Sequence, residues 1–260
     1  FWGTDILTAF ERIKPIKTRL SDIYIPDNKR HQIERFIYEV MNYHKNKTPM
    51  RYLFSGPPGT GKTNLINAII NETTGKITVI LCNSADVPLE RLFTFCQIFE
   101  PALLVIDDLD FIASDRQMNG QNATLGNLLN LLDGILPKNV FMLATTNSKA
   151  LIDTAASRPG RFSLIIDLAV LDSKNYLQLI HRETDDEKII SLFDDNTLLD
   201  LKSKRITGAL LVNLIKQLKS CKSMKGDVTK EDFEQYFDLI YNGFYKSNAE
   251  TEVKGVGFGN

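Results

Sequence analysis

Eight residues, Gly56-Pro57-Pro58-Gly59-Thr60-Gly61-Lys62-Thr63, constrain this chain more than any other feature. They fit the pattern G-x-x-x-x-G-K-[ST], which carries meaning only where a strand runs into it and a helix leaves it. Both flanks read that way: Arg51–Ser55 is a short strand, and Thr63–Asn71 places apolar residues at helical spacing. The glycines let backbone N–H groups turn toward a β-phosphate with no Cβ in the way. Lys62 can reach the β- and γ-phosphates, and the Thr63 hydroxyl can ligate Mg²⁺. The pattern points to bound ATP.

The surrounding pattern alternates. Helical spacing over Asn28–Tyr43 precedes the first strand, and strands follow at Lys76–Cys82, Ala102–Ile106, Asn139–Thr145 and Ser163–Leu168. Between them, Leu89–Phe99 and Leu125–Leu136 read as helices, and Ser114–Thr124 as a polar loop. Strands alternating with helices imply a parallel sheet covered on both faces. After about Val170 the character changes: Asp172–Thr184, Asp186–Phe193, Thr207–Lys219 and Thr229–Tyr241 all read as helices, with Asp172 and Thr229 as N-caps. The expected fold class is α/β, a P-loop parallel five-stranded sheet with helices on both faces, then a small C-terminal α-helical lid domain. The expected division is a linker or docking segment over 1–21, a nucleotide-binding domain over 22–170, a lid over 171–245 and a loose tail over 246–260.

Ala102-Leu103-Leu104-Val105-Ile106 ends in Asp107-Asp108. An acid at that point can hold Mg²⁺ through water, the role of Asp107, and a second can polarise an attacking water, the role of Asp108. With the phosphate loop upstream, this arrangement resembles the AAA+ ATPases, and within them the AAA clade that includes proteasomal, unfoldase and Rieske-translocase ATPases. The resemblance runs over roughly residues 22 to 243. Most of that family carries Glu where this chain has Asp108, about one methylene shorter, and a shift near 1 Å can cost on the order of 10²-fold in rate. Asp110 is a third acid nearby, to which the family gives no comparable role.

The resemblance implies further residues. Asn147, in Ala144-Thr145-Thr146-Asn147, matches the sensor that positions water against the γ-phosphate; its amide can donate to phosphate while accepting from water. Arg158 and Arg161, in Ser157-Arg158-Pro159-Gly160-Arg161-Phe162, match arginines that reach ATP held by an adjacent subunit. A guanidinium can stabilise charge on a transferring phosphoryl group, worth roughly 10³–10⁵ in rate for such a finger in GTPases. Leu128-Leu129-Asn130-Leu131-Leu132-Asp133-Gly134 also matches the clade, and Asn83 sits at its polar switch position. Asp22 and Ile23 resemble the start of the adenine-pocket segment, although Tyr24 and Ile25 replace its usual glycines. His181 matches a histidine near the ribose, and Gly208-Ala209 a lid motif.

Arginines acting on a neighbour's nucleotide require an oligomer, and repeated heterologous contacts with closure give a ring; the family's usual form is a hexamer. The expected function is an ATP-hydrolysing ring, with ATP and Mg²⁺, that remodels or disassembles a protein complex. The alternative is a nucleotide-gated scaffold with slow or no hydrolysis. Asn83-Ser84-Ala85-Asp86-Val87-Pro88-Leu89-Glu90-Arg91 carries no aromatic where many unfoldases grip threaded chain, and Met118 is the one large apolar group of Ser114–Thr124.

Composition is consistent with this. The 260 residues carry 43% hydrophobic and 24% charged side chains at a formal net charge of -1, so no bulk positive charge points to nucleic acid or a DNA-loading role. No apolar run approaches the roughly 20 residues that span a bilayer, and no signal peptide is visible. Cys82, Cys96 and Cys221 are widely spaced, which fits buried, reduced thiols in a cytoplasmic protein. Three scattered histidines show no metal-ligand spacing.

Overall fold

The computed structural model describes residues 11–12, 14–82, 89–110, 139–148, 161–168 and 171–253. The helix expected at Leu125–Leu136, the loop Ser114–Thr124, Asn83 and Arg158 lie outside the described residues.

Five strands, β1 (Arg51–Ser55), β2 (Thr78–Cys82), β3 (Ala102–Ile106), β4 (Val140–Thr146) and β5 (Leu164–Asp167), form one sheet in the order β2-β3-β4-β1-β5. Every pairing is parallel. The central strands β3 and β4 are buried along their whole length, while the edge strands β2 and β5 are partly exposed. This explains why β3 and β4 read as unbroken apolar runs rather than alternating ones.

The two-residue period of a strand sends alternate side chains to opposite faces. Leu53, Leu104, Ile106, Met142 and Ala144 meet Leu92, Phe93 and Cys96 of α4 (Leu89–Ile98). Tyr52, Phe54, Leu103, Val105, Phe141 and Leu143 meet α1 (Asp27–Met41), α2 (Tyr43–Asn46) and α3 (Lys62–Thr73) on the other face. Edge-on ring contacts of Phe141 with Phe36 and Tyr43 fix the seam with α1 and α2.

After β5 come five helices: α5 (Ser173–Glu183), α6 (Glu187–Ile190), α7 (Asp195–Ser203), α8 (Gly208–Lys225) and α9 (Lys230–Val253). They share a third core around Tyr176, Leu198, Leu201, Leu211, Leu214, Leu218 and Phe233. Asp172 caps α5 by accepting the Asn175 N–H at 2.8 Å. Thr229 and Asp232 make a reciprocal capping box at the start of α9.

Two expectations change. The helix α7 was not anticipated; Asp194 caps it through the Thr197 N–H, and Thr197, Leu198 and Leu201 are its buried face. The tail expected to be loose from Lys246 is instead helical to Val253. Lys246-Ser247-Asn248-Ala249-Glu250-Thr251-Glu252 holds no glycine or proline to stop α9, and the first such residue is Gly255. Cys82, Cys96 and Cys221 are all buried, and burial pushes the Cys96 thiol up to about 12.

Candidate active site

The C-terminal ends of β1, β3 and β4 lie side by side, and the loop leaving each carries polar groups, the usual location for a ligand in a parallel α/β sheet. Gly56–Gly61 connects β1 to α3. Gly59 and Gly61 hold φ values of 81° and 87°, in the left-handed region that side chains disfavour. Gly59 is constrained twice, because a Cβ there would come within 2.9 Å of the Ala209 Cβ. Its carbonyl also accepts the Ala209 N–H at 3.2 Å, tying the loop to the start of α8.

Lys62 opens α3 and is only 9% exposed. Its ammonium donates to the Gly56 carbonyl at 2.6 Å, the Pro57 carbonyl at 3.1 Å and Asn147 Oδ1 at 2.7 Å. Burial holds its pKa below the usual lysine value, and Asp108, Asp110 and Asp107 oppose that shift. Thr63 Oγ1 donates to Asp107 Oδ2 at 2.9 Å, and Thr145 Oγ1 donates to Asp107 Oδ1 at 2.7 Å. A hydroxyl and a carboxylate at this separation are the hard oxygen donors that Mg²⁺ favours, so the residues present fit that ion.

Asp108 follows with φ at 60°, a left-handed conformation that Asp tolerates better than most residues. Its N–H donates to Thr145 Oγ1 at 2.6 Å, and Asn147 Nδ2 donates to its carboxylate at 3.4 Å. Although Asp108 reaches solvent, lost hydration raises its pKa first, followed by the nearby Asp110 and Asp107 charges; Lys62 pulls the other way.

Asp110 has a definite place here. Its carboxylate accepts the Thr146 hydroxyl at 2.6 Å and the Asn147 N–H at 2.5 Å, clamping the end of β4 that carries Asn147. Sequence reasoning gave it no task, since nothing local links residue 110 to residue 147.

A cavity of about 580 Å³ adjoins the loop. Asp22, Ile23, Gly59, Thr60, Gly61, Gly208 and Ala209 line it, as do Tyr24 and Arg182. The Asp22 carboxylate itself caps the turn before it, accepting the Arg19 N–H at 3.0 Å. His181, expected near a ribose, is exposed on α5 and is not among the lining residues; the next residue, Arg182, is. A step of one residue on a helix turns a side chain by about 100°, so the two face different surroundings. Asn213 and Lys216, from the same face of α8, were also missed; their spacing from Ala209 is the only signal that could have found them.

Arg161, expected to reach outward to a neighbour, is 4% exposed within its own chain. The region of Phe162 packs against the α4-side core, which draws this segment inward. Arg158 lies outside the described residues.

A glycine-rich loop between strand and helix, with its lysine held against acids on the adjoining strand ends, defines a P-loop nucleotide-binding protein. Residues 52–170 match the family described as "ATPase family associated with various cellular activities (AAA)". That stretch is an AAA ATPase domain, and ATP with Mg²⁺ are the ligands its family uses. The chain is 27% identical over 227 residues to the ATP-dependent zinc metalloprotease FtsH 2 of Thermoanaerobacter sp. (strain X514), covering 80% of this chain and 43% of that protein. It is 26% identical over 288 residues to the mitochondrial inner membrane m-AAA protease component YTA10 of Saccharomyces cerevisiae (strain ATCC 204508 / S288c), covering 98% of this chain and 38% of that protein. The chain thus spans about two-fifths of the length of these relatives. No described helix is long and apolar enough to cross a membrane.

Proposed function

We propose that this chain is the ATP-hydrolysing subunit of an oligomeric ring, a hexamer by its clade's habit, that remodels or disassembles a protein complex. The observation that carries the reading is the convergence of Lys62, Asp107, Asp108 and Asn147 at neighbouring strand ends. Thr63 and Asp107 would hold Mg²⁺, which supplies charge neutralisation at the phosphates. Gly56, Pro57, Pro58, Gly59, Thr60 and Gly61 wrap the phosphates, and Lys62 trades its internal acceptors for the β- and γ-oxygens. Asp108 accepts a proton from water as that water attacks the γ-phosphorus, and the bond to the leaving ADP oxygen breaks. Asn147 orients the water, holding it between Lys62 and Asp108.

Asp22, Ile23, Gly208 and Ala209 form the nucleoside end of the site. Residues 22–170 act as the nucleotide-binding domain and 171–245 as the moving lid, with α9 continuing past that boundary. The named relatives are proteases, which supports a protein target, and a cytoplasmic ring suits three buried thiols. A slow, nucleotide-gated scaffold is the second reading, favoured by the short Asp108 carboxylate and by the lack of an aromatic residue in residues 83–91.

Arg158 and Arg161 are assigned to a neighbour's nucleotide, which for Arg161 requires release from its burial. Mixing tests this. Arg158→Ala and Asp108→Asn chains should each be inactive alone and recover ATP turnover when mixed, because one mixed interface combines an intact site with an intact arginine. No recovery, or full activity in both Arg158→Ala and Arg161→Ala, would sink the ring mechanism.

A further inference from the structure

The cavity beside the phosphate loop is walled by two chain segments far apart in sequence, and one set of contacts joins them. Tyr24 lies in the segment leading into α1, and Arg182 lies near the end of α5; both line the cavity. The Arg182 guanidinium carbon sits 5.0 Å from the centroid of the Tyr24 ring. Its NH1 also donates to the Asp22 carbonyl at 3.4 Å. Behind it, Arg182 pairs with Glu183 at 3.1 Å, which orients the guanidinium plane. The Glu183 carbonyl in turn accepts the Lys219 ammonium at 2.6 Å, so the contact is backed by α8.

We propose that Tyr24 and Arg182 are nucleotide-retaining residues, a clasp joining the leading segment to the helices after β5 that must open before an adenine nucleotide can leave the cavity. The inference rests on the nucleotide-binding reading of that cavity. The argument for retention is geometric. The helices after β5 touch the rest of the site at a second point, the Ala209 N–H to Gly59 carbonyl bond, which lies at the phosphate end. With one tie at the phosphate loop and another at Tyr24, swinging the helices away to free the nucleotide breaks both, along with the exposed Lys174–Asp27 and Arg205–Asp167 pairs that lie outside the cavity lining. The phosphate-end tie is backbone and common to any side chain; the other depends on two replaceable side chains. An exposed cation over an aromatic ring contributes modestly, so the expected change in release rate is about 2- to 5-fold rather than orders of magnitude.

The test is the dissociation rate of a fluorescent ADP analogue, chased with excess unlabelled ADP, from the full chain. Tyr24→Ala and Arg182→Ala should each speed release by about 2- to 5-fold. The double variant should be no faster than the faster single one, since both remove the same contact. Tyr24→Phe keeps the ring face and should release at the wild-type rate. Arg182→Ala guards against misfolding of the Tyr24 variant, because this side chain is half exposed and supports no core. Wild-type release rates in both single variants, or additive effects in the double, would overturn the clasp alone. Failure of the wild-type chain to bind the analogue would overturn the nucleotide reading together with the clasp.

Discussion

Lys62 Nζ lies 2.7 Å from Asn147 Oδ1, so the lysine of the phosphate loop is bonded to the residue at the tip of β4. With the Gly56 and Pro57 carbonyls also accepting from it, the ammonium is pre-aimed, and its charge is satisfied while it remains buried. Bound phosphate would compete with these acceptors rather than with bulk water.

Replacing that ammonium should therefore affect affinity first. Lys62→Met should weaken ATP binding by about 10- to 100-fold, the worth of charged hydrogen bonds lost from a partly desolvated site. Titration with a fluorescent ATP analogue checks it, and unchanged affinity would place the phosphates elsewhere.

Asp108 is expected to act on turnover and not on binding. Asp108→Asn keeps the size of the side chain and removes its capacity to accept a proton, so ATP should stay bound while hydrolysis falls by about 10²-fold or more. Phosphate release and nucleotide retention, measured on the same preparation, separate the two effects.

The clamp made by Asp110 predicts a graded series. Asp110→Ala removes both acceptors from the end of β4 and should lower kcat roughly 10- to 100-fold through misplacement of Asn147. KM should change little. Asp110→Asn retains one carbonyl oxygen for the Asn147 N–H and should fall between wild type and Asp110→Ala. Equal KM and kcat in all three would deny Asp110 a positioning role.

Asp232 predicts a pH-dependent contribution to stability. Its hydrogen bond with Lys225, aided by the Thr229 N–H, holds its carboxyl at about 2, below the ordinary 3.8. A depressed carboxyl stabilises the fold above its unfolded value, and that contribution is lost as pH falls from about 4 toward about 2. Asp232→Asn should lower Tm at neutral pH, and the gap from wild type should close over that acidic window. Thermal melts across pH decide this; a constant gap would mean that the cap, and not the charge, matters.

The recognisable parts of this protein are those written in short stretches of chain. Gly56–Thr63, the β3 run ending in Asp107 and Asp108, and the caps at Asp172 and Thr229 are local patterns, set by φ preferences, residue period and hydrogen bonds to the next turn. They were sufficient to indicate a parallel sheet with a phosphate loop at the C-terminal end of one strand. Packing decided the rest. Asp110 meets Asn147 across a separation of 37 residues, through the pairing of β3 with β4. Arg182 rather than His181 faces the cavity because the rotation of α5 is set by burying Tyr176, Leu179 and Ile180. Arg161 turns inward for the same kind of reason. Distances between groups remote along the chain depend on how whole elements settle against a shared core, and no local run of residues encodes that.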